Sequence, residues 1–142
     1  MNLLRIFIPS WRFFDELGQI TTVFHRTRLA DQSDFGPWKK SILKPTQSPA
    51  AFLFNPAGNL YLATQAVVQQ LMVDIQNLKN EADTTSLEQF SSFQLLQKHI
   101  ELQLRKTNPQ LVPLFFQIKI SVTDPNQPQN NYDAVVSKEY SL

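Results

Sequence analysis

Apolar residues in the middle of this chain return every third or fourth position, and near its end every second one. Between 60 and 81, Leu60, Ala63, Val67, Leu71, Ile75 and Leu78 share one face of a 3.6-residue period, widened by Val68 and Met72. Gln65, Gln69, Gln70, Asp74, Gln76, Asn77 and Lys79 take the other side. Between 86 and 106, Leu87, Phe90, Phe93, Leu96, Ile100 and Leu104 repeat the pattern. Two amphipathic helices follow. Thr85 and Glu88 have capping-box spacing, in which the hydroxyl accepts from the N3 amide and the carboxylate reaches back to the N-cap amide. Arg105 and Lys106 suit the negative end of the second helix. Asn108-Pro109 stops it, because the residue before a proline is pushed out of the α region. The short polar turn at 80–85 makes the helices antiparallel neighbours.

The period-two pattern lies at 111–122. Val112, Leu114, Phe116, Ile118, Ile120 and Val122 alternate with Gln117, Lys119 and Ser121, Phe115 being the exception. Residues 134–142 return beside this strand as an edge, since neither of their faces is cleanly apolar. Earlier, 3–8 is a short apolar run closed by Pro9. Residues 11–14 and 20–29 read as a hairpin about a turn at 15–18. In its second arm Val23, His25 and Thr27 face one way, and Phe24, Arg26 and Arg28 the other. Residues 50–54 form another apolar run. The segment 55–59 has two readings. Asn55 caps a helix with Pro56 at its first position, or the segment is a turn and Asn59 is the cap. The second is preferred, because Gly58 is costly inside a helix.

Two one-sided helices need a third surface, and the strand signals supply it. The expected fold is α+β: an antiparallel sheet from N-terminal and C-terminal strands, packed on two antiparallel helices (about 60–81 and 86–106). With 142 residues the chain reads as a single domain, 1–142, with an irregular loop at 30–50. A loop that long is functional or mobile in a compact domain. Phe35, Trp38, Ile42 and Leu43 argue that it packs on something.

Composition narrows the chemistry. Charged residues are only 18% of the chain, and fifteen Gln and nine Asn make its surface polar without charge. The net charge of +1 exerts no global pull on nucleic acid or acidic lipid. Its distribution is uneven: residues 1–44 hold seven Lys/Arg against four Asp/Glu. The absence of cysteine excludes disulfides, thiolate metal sites and a cysteine nucleophile. No stretch has the roughly 20 apolar residues of a membrane span, and the opening residues lack a signal-peptide pattern. The expectation is a soluble cytoplasmic protein.

No glycine-rich phosphate loop, HExxH or GxSxG is present. His25 and His99 fall on different elements. His25 reads as a hydrogen-bonded structural histidine and His99 as a surface residue beside Lys98 and Glu101. Asp15, Glu16, Asp31 and Asp34 lack the spacing of an acid/base pair or a metal site. No catalytic residue, metal or cofactor is therefore assigned. Residues 1–54 nevertheless hold nine of the sixteen aromatics, including both tryptophans, interleaved with arginines. Trp and Arg are enriched at binding hot spots. Trp11, Arg12, Arg26, Arg28 and Trp38 are thus the candidate binding residues. The expected function is a non-enzymatic interaction subunit or adaptor that binds a protein partner or a second copy of itself, and not nucleic acid. The alternative is a small-molecule-binding domain or an enzyme with a pocket between sheet and helices.

Overall fold

The computed structural model describes residues 20–43, 55–80, 87–108 and 114–142. Its centre is an antiparallel sheet under two helices, the α+β arrangement expected from the periodicities. Strand β1 (Ile20–Leu29) pairs with β3 (Leu114–Thr123) along its whole length. The two-residue β2 (Lys39–Lys40) lies on the other side of β1. The far side of β3 takes β4 (Tyr132–Val136) and β5 (Tyr140–Ser141) in succession. Alternation along β3 sets the faces: Leu114, Phe116, Ile118, Ile120 and Val122 are all buried, and Val23 joins them opposite Ile120. The register read from the sequence is thus the register observed.

The C-terminal return is two short strands rather than one, and Ser137 explains the break. Its hydroxyl accepts the Ile118 N–H at 2.9 Å, and its own N–H donates to the Ile118 carbonyl, also at 2.9 Å. A side chain replaces a ladder carbonyl, so the main chain can leave the sheet there without orphaning a buried amide.

Helix α1 spans Pro56–Asn80, one turn earlier than expected. Asn55 is the cap, its Oδ1 accepting the Gly58 N–H at 2.8 Å. The preference for Asn59 is corrected, and Gly58 supplies the reason. A methyl at that position would lie 2.8 Å from the Asn55 Oδ1. The glycine is where the cap needs room. The buried stripe is also rotated from the expected one. Thr64, Val68, Leu71 and Ile75 are buried, while Leu60 is 56% exposed and Ala63 faces outward. Thr64 is tolerated inside because its hydroxyl donates to the Leu60 carbonyl at 2.8 Å.

Helix α2 spans Ser91–Thr107, after a 3-10 turn at Leu87–Gln89. Its stripe is as expected, with Phe93, Leu96, Ile100 and Leu104 buried. Its start is not: Phe90 occupies the N-cap with no side-chain hydrogen bond. Glu88 is turned towards the C-terminal strands. It accepts from the Tyr140 hydroxyl at 2.8 Å and pairs with Lys138 at 3.1 Å, tying the turn to β5. Asp74 of α1 accepts from Ser92 of α2 at 2.5 Å, while the first turns of α1 lie beside His99 and Gln103, so the helices run antiparallel. Val68, Leu71, Phe93 and Leu96 meet Phe116, Ile118 and Ile120 in one core.

The expected strands at 3–8 and 11–14, the turn at 15–18, the run at 50–54 and the Thr85 cap lie outside the described residues, as does the side chain of Leu78. The loop at 30–50 is irregular through residue 38 but not throughout. Gly36 N–H donates to the Thr27 carbonyl and Ser41 N–H to the Val23 carbonyl, both at 2.9 Å, drawing the chain back along β1 to form β2.

Candidate functional site

Two arrangements of side chains stand out, one on each face of β1. The face away from the helices carries Phe24, Arg26 and Arg28 opposite Lys119, Gln117 and Phe115. The returning loop lays Phe35 and Trp38 over them. The Arg26 guanidinium is 4.7 Å from the Phe35 ring centre and 4.5 Å from that of Trp38, and its Nε donates to Gln117 at 2.8 Å. Arg28 lies 4.3 Å from Phe115 and pairs with Glu139 at 3.1 Å. Lys119 is 5.0 Å from Trp38 and 3.3 Å from Asp133. Cations held over ring faces are attracted by the ring quadrupole, the more so as water is excluded.

Of the candidate binding residues, Arg26, Arg28 and Trp38 therefore come together in one layer; Trp11 and Arg12 lie outside the described residues. Each of the two arginines is already engaged within the molecule. Phe115, Gln117 and Lys119, which complete the layer, come from the far end of the sequence. Only the alternation of β3, with Phe115 as its odd apolar member, pointed to them.

The other arrangement is a cleft of about 670 Å³ between the β1–β2 edge and the end of α2. His25, Thr27, Arg28 and Leu29 line it from β1, Lys39, Lys40 and Ser41 from the returning loop, and Gln103, Leu104, Lys106 and Thr107 from α2 with its C-cap Asn108, together with Leu114 of β3. Among the described residues its lining contains Arg28, three lysines and no carboxylate. His25 Nδ1 lies 2.8 Å from the Ser41 hydroxyl. Burial pushes the imidazole below its ordinary pKa of 6.5, and the Lys39 charge pushes it the same way. The ring is therefore neutral at pH 7. His99 does not sit in water as expected. It is half-buried beside Tyr61 and Thr64, and burial, then Lys106, lowers its pKa also.

The His25–Ser41 pair has two parts of a nucleophilic relay without the third. In a triad the serine meets one ring nitrogen and a carboxylate orients the other; here Ser41 occupies Nδ1 and is itself buried. Among the described residues no three His, Asp or Glu side chains converge as a metal site would require, and no helix is long and apolar enough to cross a membrane. Lys39, Lys40 and Lys106 carried no signal in the sequence beyond their charge, and Ser41 none, because the cleft exists only once the loop has folded back on β1. No protein-family model, curated protein or solved structure matches the chain.

Proposed function

We propose that this chain is a non-enzymatic binding domain whose ligand occupies the cleft between β1–β2 and α2. One observation carries the reading: a cleft of about 670 Å³ lined by a neutral, hydrogen-bonded histidine and by cations with no carboxylate among the described residues. Ligand sites are concave, lie within about 300–1,000 Å³ and combine apolar walls with a few placed polar groups. Clefts lined by one sign of charge focus the field and raise the local concentration of opposite charge. A chemically mixed fragment library, screened by amide chemical-shift mapping on the full chain, tests it. Shifts should cluster on Thr27, Lys39 to Ser41 and Gln103 to Asn108. Hits that map elsewhere, or nowhere, overturn the reading.

The arginine–aromatic layer favours a second reading, an interaction subunit that presents Trp38 and its stacked cations to a protein partner or a second copy. Its support is that rings and guanidiniums are held in place before any partner arrives, which lowers the ordering cost of binding. Purification of tagged wild type and Trp38→Ala from the native cell tests it. A stoichiometric partner, or a dimer, retained by wild type and lost from the variant supports the reading. The same recovery from both removes it.

A further inference from the structure

The cleft is not uniformly polar. Leu29, Leu104 and Leu114 contribute apolar wall, with Leu104 of α2 and Leu114 of β3 buried. Lys39 and Lys40 come from β2, and Lys106 from the last turn of α2. Arg28 already serves Glu139 and the Gln32 carbonyl. Among the described residues the three lysines have no carboxylate partner; Lys39, paired with His25, shares the cleft side of β2 while Lys40, paired with Phe24, faces the other way, so Lys39 and Lys106 are the charges a ligand would meet. One opposing effect needs weighing. The carbonyl end of α2 borders the cleft, and a helix C-terminus carries roughly half a negative charge. The charges of Lys39 and Lys106 outweigh it. Asn108 also takes up part of that end, its N–H donating to the Leu104 carbonyl at 2.9 Å.

We infer that the cleft takes an amphiphilic anion, its apolar body against Leu29, Leu104 and Leu114 and its carboxylate or phosphate head between Lys39 and Lys106. The inference rests on the cleft being a ligand site at all. The His25 Nδ1 is held 2.8 Å from the Ser41 hydroxyl, which fixes the ring within the cleft lining. Placing charge at one end and apolar wall at the other selects against neutral lipids and against bare inorganic anions alike. Helix α2 serves both halves of the ligand, Lys106 with Lys39 of β2 at the head and Leu104 with Leu29 of β1 and Leu114 of β3 at the body.

The test uses the full chain and four probes: octanoate, octyl phosphate, neutral octyl glucoside and inorganic phosphate. Binding is followed by amide shifts at Thr27, Lys40 and Gln103 to Asn108. Octanoate or octyl phosphate should bind at least about tenfold tighter than either other probe, a difference of about 1.4 kcal/mol. Which of the two wins names the head group. The Lys39→Gln/Lys106→Gln double variant, changed at exposed positions, should lose that preference while keeping the neutral probe's affinity. Octyl glucoside binding as well as the anions would overturn the charged half of the inference, and inorganic phosphate binding as well as octyl phosphate would overturn the apolar half. Either result leaves the cleft a ligand site. Silence of the cleft towards all four probes overturns the inference alone if the fragment library still maps there, and overturns the binding-domain reading too if it does not.

Discussion

At the scale of single residues, Trp38 and Phe93 are the instructive pair. Phe93 is fully buried between the helices and the sheet and faces Tyr140 at 6.3 Å. Phe93→Ala removes its contacts and leaves a cavity, so urea unfolding should show a loss of about 3–5 kcal/mol. Trp38 is only half-buried, and its ring stacks on Arg26 and Lys119 rather than in the core. Trp38→Ala should cost less, about 1–2 kcal/mol. A loss as large as that of Phe93→Ala would make the tryptophan a core residue and end its candidacy as an anchor. The two histidines give a pH signature. Their folded pKa values lie below the unfolded 6.5, so the unfolded chain holds the proton more tightly. Their contribution to stability is complete above pH 6.5 and is lost as pH falls through the folded values. Thermal melts should be level above about pH 7.5 and fall towards pH 5, and the His25→Gln/His99→Gln variant should flatten that descent. Glu88 adds a second, more acidic step. A hydrogen bond from its own backbone amide, then the Tyr140 hydroxyl, hold its pKa at about 2 against 4.5. The stability it lends is present above pH 4.5 and disappears towards pH 2.

Among the elements, the start of α1 makes a prediction that runs against helix propensity. Alanine is favoured over glycine in a helix interior by roughly 0.8–1 kcal/mol. At Gly58, however, the added methyl would run into the Asn55 side chain that caps the helix. Gly58→Ala should therefore destabilise, and Asn55→Ala should cost about 1 kcal/mol through the lost cap. Combining the two changes should cost less than their sum, since the methyl no longer has a cap to displace. A melt in which Gly58→Ala gains stability would refute the capping geometry. The same helix shows what was legible beforehand. The 3.6-residue repeat announced α1 and α2, and strict alternation announced β3, because each face meets one continuous core. Helix starts were less legible. The Asn55 cap of α1 was one of two readings, decided by where that side chain turns, and α2 begins at Ser91 behind a 3-10 turn that the periodicity of its stripe does not mark. The site was legible only in part. Arginine and tryptophan in one stretch pointed to the stacked layer, but nothing local marked Lys39–Lys40 as a strand or paired them with Lys106.

For the molecule as a whole, the decisive feature is that β1 finds its main partner in β3 at the other side of both helices. Arg26 and Gln117, hydrogen-bonded across this pairing, are 91 residues apart in sequence. Closing such a loop is entropically slower than forming the neighbouring helix pair, so folding is governed by a non-local step. Synthesis on the ribosome sharpens the consequence. β1 and the two helices emerge first, and the edge of β1 that β3 will occupy waits unpaired until Thr123 is made. Meanwhile the helices carry an apolar stripe with only half of its sheet to cover. A nascent chain halted before β3 has neither the stacked layer, which needs Phe115, Gln117 and Lys119, nor the Leu114 wall of the cleft. During that interval the chain exposes a strand edge and an apolar helix face together, the combination that chaperones recognise and aggregates exploit.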